Sequence, residues 1–130
     1  MANFKFSFAN QYNSERLFDI DTDGLQYHEL SDIYSEGSEE TYVVEGLYIN
    51  TKGLYDPRPC VVASLADNKG NLLFRGYVNL PAHMTETCRE ILRDKNAVAA
   101  INAGKVGFTI YAYEQKKYNR TCFSIRWADI

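Results

Sequence analysis

The stretch Thr41-Tyr42-Val43-Val44-Glu45-Gly46-Leu47-Tyr48-Ile49-Asn50 decides the fold. It is rich in β-branched and aromatic residues, and strict alternation puts Val43, Leu47 and Ile49 on one face and Tyr42, Val44 and Tyr48 on the other. Gly46 stands in its middle. An interior glycine marks a bulge or tight bend, which a long strand needs when it serves both sides of a small barrel.

Downstream, a turn through Lys52-Gly53 and Asp56-Pro57 leads to the short apolar run Cys60 to Leu65. Ala66-Asp67-Asn68-Lys69-Gly70-Asn71 reads as a hairpin connection, and Leu72 to Asn79 returns with Leu72, Phe74, Gly76 and Val78 on one face. Pro81 suits a first helical turn, and Met84, Cys88, Ile91 and Leu92 recur at helical spacing. A second helical piece, Asn96 to Asn102, is closed by Gly104, and the apolar side of this amphipathic region is expected to plug one end of the structure. Two strands follow. Val106, Phe108, Ile110 and Ala112 alternate with Gly107, Thr109, Tyr111 and Tyr113, and Phe123, Ile125 and Trp127 alternate with Cys122, Ser124 and Arg126. The order β-β-β-α-β-β is the one expected of a five-stranded OB-like barrel with a helix between strands three and four, a mainly β fold whose loops and open face bind oligonucleotides and oligosaccharides.

Upstream, Phe4, Phe6 and Phe8 alternate with Lys5 and Ser7 as in a half-buried strand, Leu17 to Ile20 reads as a short extended piece, and Glu29 to Tyr34 as a short helix. Ser35-Glu36-Gly37-Ser38 is a polar break. The chain thus divides into an N-terminal extension, residues 1–40, packing on the body, and an OB-like domain, residues 41–130. Charge divides at the same place. The net charge of −3 over 130 residues combines −7 in the first forty with +4 in the remaining ninety, so a basic body carries an acidic lead segment.

The faces left over from the core carry the functional argument. Tyr48 on the first body strand, Arg75 and Tyr77 on the third, Tyr111 and Tyr113 on the fourth and Arg126 on the fifth alternate against apolar neighbours. The loops flanking the expected groove add Lys52, Tyr55 and Arg58 on one side and Lys116, Lys117, Tyr118 and Arg120 on the other. Single-stranded nucleic acid calls for this mixture, aromatic planes for bases and cations for phosphates. The plainer alternative makes the tyrosines cross-strand pairs, or surfaces covered by the N-terminal segment or by a second subunit.

With strand order, Gly46-Leu47-Tyr48-Ile49-Asn50-Thr51-Lys52 and the Asn79-Leu80-Pro81 approach to the helix in view, the body from Thr41 to Ile130 resembles OB-fold single-stranded-DNA-binding proteins of phages and mobile elements. The resemblance implies a coating or accessory role in replication, recombination or transfer. It departs from better-known bacterial members, which carry a long acidic tail ending in an aromatic residue where this sequence reads Trp127-Ala128-Asp129-Ile130 straight after a predicted strand. Recruitment of partners through such a tail is therefore not expected.

Other chemistries fit less well. Asp19-Ile20-Asp21-Thr22-Asp23-Gly24 matches the first half of a calcium loop, with Asp19, Asp21 and Asp23 as ligands, but position twelve is Leu30 rather than a bidentate Glu. The acids between Asp19 and Glu40 could instead imitate phosphates, in the protein's own groove or in a partner's nucleic-acid site, making the protein a DNA mimic or inhibitor of a host nuclease or defence complex. The two histidines, His28 and His83, stand in no H-E-x-x-H spacing, and there is no G-x-S-x-G elbow or phosphate-cradling glycine loop, so neither catalysis nor a cofactor is expected. Cys60, Cys88 and Cys122 match no metal or redox spacing and are read as reduced thiols. No apolar run approaches the roughly 18 residues of a membrane span, and no signal peptide is evident, so a cytoplasmic location is expected. The reading is single-stranded DNA or RNA binding without strong sequence preference.

Overall fold

A computed structural model describes residues 17–37, 40–50 and 57–130. Its centre is one mixed sheet of six strands: β1 (Tyr27–Glu29), β2 (Tyr42–Asn50), β3 (Arg58–Ala66), β4 (Leu72–Asn79), β5 (Val106–Gln115) and β6 (Arg120–Asp129), in the order β1-β4-β3-β2-β5-β6. The sheet curls into a half-barrel, which corrects the expected five-stranded barrel in two respects. A sixth strand comes from the lead segment, β1 lying parallel to β4 with Tyr27 opposite Tyr77 and Glu29 opposite Asn79. Among the described residues the sheet is also not closed on itself, β1 and β6 being its two edges. The physical reason is competition for one edge: the Tyr77 N–H donates to Gln26 O at 2.9 Å, so β4 spends its outer backbone groups on the lead segment. A short helix, α1 (Leu30–Ile33), follows β1 and contacts β6, and the ring of Tyr34 lies 5.2 Å from that of Phe123.

Gly46 does mark a bulge. The β2–β3 register slips between Val44 and Gly46, and the extra residue is Glu45. This slip changes the expected faces of β2: Tyr42 and Val44 are buried in the same core as Leu47, because one inserted residue shifts the side-chain period of two by one. Phe108, Val61 and Val78 complete the centre of the core. Leu72, expected on the core face, is 61% exposed because β4 outruns the core at its hairpin end. That hairpin is closed by Asp67, whose carboxylate accepts from the N–H groups of Lys69 and Asn71, and by Gly70 at φ +84°.

Between β4 and β5 the chain makes a single 3-10 turn (Ala82–Met84) and two helices, α2 (Thr85–Arg93) and α3 (Lys95–Asn102). Asp94 separates them and caps the second, accepting from the N–H groups of Asn96 and Ala97. Cys88 and Ile101 are buried, with Ile91, Leu92 and Val98 packed beside them, so the helices close one end of the half-barrel. The lead segment joins the same core. Phe18 is 2% and Leu30 5% exposed, and Asn102 donates to Leu17 O at 2.9 Å. The alternating Phe4, Phe6 and Phe8 lie outside the described residues. No helix among the described residues is long and apolar enough to cross a membrane.

Candidate nucleic-acid interface

The sequence-predicted residues fall into two groups on the half-barrel. The first belongs to the β5–β6 hairpin. In its ladder Tyr111 faces Ser124, Tyr113 faces Cys122 and Thr109 faces Arg126, so alternation puts Tyr111, Tyr113 and Arg126 on the face opposite Phe108 and Ile125. The Tyr111 and Tyr113 rings are 6.0 Å apart, and the Arg126 guanidinium lies over Tyr111 at 4.4 Å. At the tip, a 3-10 turn (Lys116–Tyr118) ends on Asn119 at φ 47°, a left-handed conformation that asparagine tolerates, and the chain reverses into β6. Lys117 Nζ lies 5.5 Å and the Arg120 guanidinium 5.6 Å from the Tyr118 ring centre. Lys116, Lys117, Tyr118 and Arg120 are all exposed. Among the described residues none of these lysines and arginines makes an ion pair, so their charges remain available to a ligand.

The second group lies on the β2–β3–β4 side. Here the structure redistributes the expected roles. Tyr77 carries the ring of Tyr27 on its face, 4.5 Å between centres and 11° from parallel, while Tyr48 meets it edge-on at 6.3 Å. Arg75 is held by Glu45, the bulged residue, with Nη2 to Oε1 at 3.0 Å and both side chains 24% exposed. Its guanidinium is kept above the ordinary arginine range chiefly by that hydrogen bond. Arg58 donates to Glu29 Oε1 at 2.6 Å and to Leu80 O at 2.8 Å, and Asn79 donates to Glu29 Oε2 at 2.7 Å. Arg75 and Tyr77 are thus engaged within the protein rather than presented as a bare platform. Lys52 and Tyr55 lie outside the described residues.

An open cleft of about 420 Å³ joins the two groups at the unpaired seam. Glu29, Arg58, Asn79 and His83 line it on one side and Tyr113, Arg120 and Cys122 on the other. Of the expected residues, this cleft brings together Arg58, Tyr113 and Arg120. Tyr27, Glu29, Asn79 and His83 were missed. A three-residue strand is too short to show a period, and only the tertiary fold carries Tyr27 and Glu29 to β4.

The aspartates of the calcium-like string do not converge. Asp21 accepts the N–H of Asp23 at 3.0 Å in a local turn, and among the described residues no three His, Cys, Asp or Glu side chains are placed to hold a metal ion. Compared with protein-family models, curated proteins and solved structures, the chain gives no match.

Proposed function

We propose that this protein binds single-stranded nucleic acid, without strong sequence preference and without catalysis, through the β5–β6 hairpin and the cleft beside it. One observation carries the reading: a single ribbon presents Tyr113, Tyr111 and Arg126 along one face and Lys116, Lys117, Tyr118 and Arg120 at its tip. Tyrosine rings offer stacking planes to any base, and cations that make no ion pair among the described residues can follow phosphates. The strand order supports an OB-like ancestry of the site. Leaving β1 aside, the half-barrel reads β4-β3-β2-β5-β6, an order compatible with an OB-like barrel, and the cleft lies on its open side beside the loop that would flank an OB groove. The coating or accessory role in phage or mobile-element DNA metabolism rests on the sequence resemblance.

The test is a fluorescence titration with labelled oligo-dT at two salt concentrations. Wild-type affinity is expected to fall steeply with salt. Changing Lys116 and Lys117 together to Ala should reduce the slope of log affinity against log salt by roughly 0.7 for each phosphate left without its lysine, and Tyr111→Ala should weaken binding by about 1–3 kcal/mol. An unchanged slope and unchanged affinity would remove the hairpin from the interface. Absence of binding even at low salt would overturn the reading and favour the acidic lead segment as a phosphate mimic aimed at another protein.

A further inference from the structure

On the β3–β4 side of the cleft, the chain's own lead strand makes the contacts that a nucleotide would make. The Tyr27 ring lies flat on Tyr77, as a base would. Two residues on, the Glu29 carboxylate takes a hydrogen bond on each oxygen, from Arg58 at 2.6 Å and from Asn79 at 2.7 Å, as a phosphate would. The parallel register holds both contacts in one row, Tyr27 opposite Tyr77 and Glu29 opposite Asn79, roughly 6.6 Å apart along the strand. That distance suits a base and an adjacent phosphate of an extended strand.

We propose that Tyr77, Arg58 and Asn79 form a one-nucleotide subsite, base on the ring and phosphate on the guanidinium and amide, which Tyr27 and Glu29 occupy as an intramolecular stand-in. The proposal rests on the nucleic-acid reading of the cleft. Exchange would rotate the Tyr27 and Glu29 side chains away, Glu29 also giving up its capping-box contact with the Asp32 N–H. Tyr27 is 60% exposed, and the Arg58 and Glu29 side chains are 42% and 46% exposed, so water reaches both contacts and their ion pair contributes little to folding. The backbone pairing of β1 and the buried Leu30 stay in place throughout. The stand-in lowers apparent affinity by the fraction of molecules in which it is seated, and it favours ligands long enough to hold the hairpin and the subsite together.

The experiment compares oligo-dT affinities of the full chain and its variants. Tyr27→Ala and Glu29→Gln should each tighten binding at least threefold, roughly the gain when a seated competitor leaves. Tyr27→Phe, which keeps the stack, should behave as wild type, and adding Tyr77→Ala should abolish the gain from Tyr27→Ala. Glu29→Gln keeps the shape of the residue that caps α1, so it covers the case in which Tyr27→Ala does not fold. A readout on the unaltered protein is the NMR shift of the Tyr27 ring, which should lose its stacking displacement at saturating oligo-dT. Unchanged or weaker binding by both variants, or a Tyr27 ring that stays stacked at saturation, would overturn the subsite while leaving the hairpin reading intact. Tightening in Glu29→Gln with a salt slope indifferent to Lys116 and Lys117 would sustain the subsite and overturn the hairpin. Loss of all binding in every protein would overturn both.

Discussion

At the scale of single residues, burial sets chemistry that composition leaves open. Cys60 and Cys88 are 2% and 0% exposed, whereas Cys122 is half-buried at the cleft. Burial pushes the Cys60 thiol from its ordinary 9.0 up to about 12 and the Cys88 thiol up to about 11, because a thiolate loses its hydration there. Both folded-state values lie above the unfolded ones, so the unfolded chain releases these protons first. The stability they contribute is whole below about pH 9 and is lost progressively as pH rises through about 11 and about 12. The melting temperature should therefore decline from about pH 9 upward, and Cys60→Val should flatten the upper part of that decline. An equally steep decline in the variant would assign the effect to Cys88 and the tyrosines instead. Tyr27 and Tyr42 are also raised above the ordinary tyrosine value, chiefly by burial. Below pH 9 only Cys122 should be alkylated in the native protein.

At the scale of elements, the narrowest junction of the sheet is β2 with β5, paired only through Tyr42 with Phe108 and Val43 with Gly107. A Cβ on Gly107 would lie 2.6 Å from Tyr42 O and 2.6 Å from Ile130 Cδ1. The isoleucine end can yield, but the carbonyl belongs to the ladder. Gly107→Ala should thus destabilise the protein by about 1–3 kcal/mol in urea unfolding, the usual cost of overpacking. A cost under a few tenths would show that the two halves of the sheet slide past one another freely. The elements of the body were legible from the sequence because each keeps its own period: β5 and β6 alternate over ten residues, and Pro81 and Gly104 bound the helical region, whereas the cap at Asp94 emerged only in the structure. The bulge was legible at Gly46, but its effect on Tyr42 and Val44 was not, since the position of one inserted residue determines which way every earlier side chain points.

At the scale of the whole molecule, the acidic lead segment is part of the structure it precedes. Phe18 and Leu30 sit in the common core, and β1 extends the sheet. Removing residues 1–40 should abolish cooperative thermal unfolding or lower the midpoint severely, because it strips the buried Phe18 and Leu30 and bares the β4 edge. A truncated chain that melts like the full one would show the body to be self-sufficient. The comparison also bears on binding, since point changes in the lead segment keep this core whereas its deletion does not.

By itself the sequence determined the strands and helices of the body, the bulge glycine, and the basic and aromatic character of the β5–β6 hairpin, because all of these depend on neighbours within a few residues. The tertiary structure alone decided that the sheet curls into a half-barrel, that β1 takes the β4 edge, and that Tyr27 and Glu29 lie on Tyr77, Arg58 and Asn79. Those contacts join residues some thirty to fifty positions apart. No local pattern encodes such a pairing, for it is the outcome of competition between segments for one edge and one core.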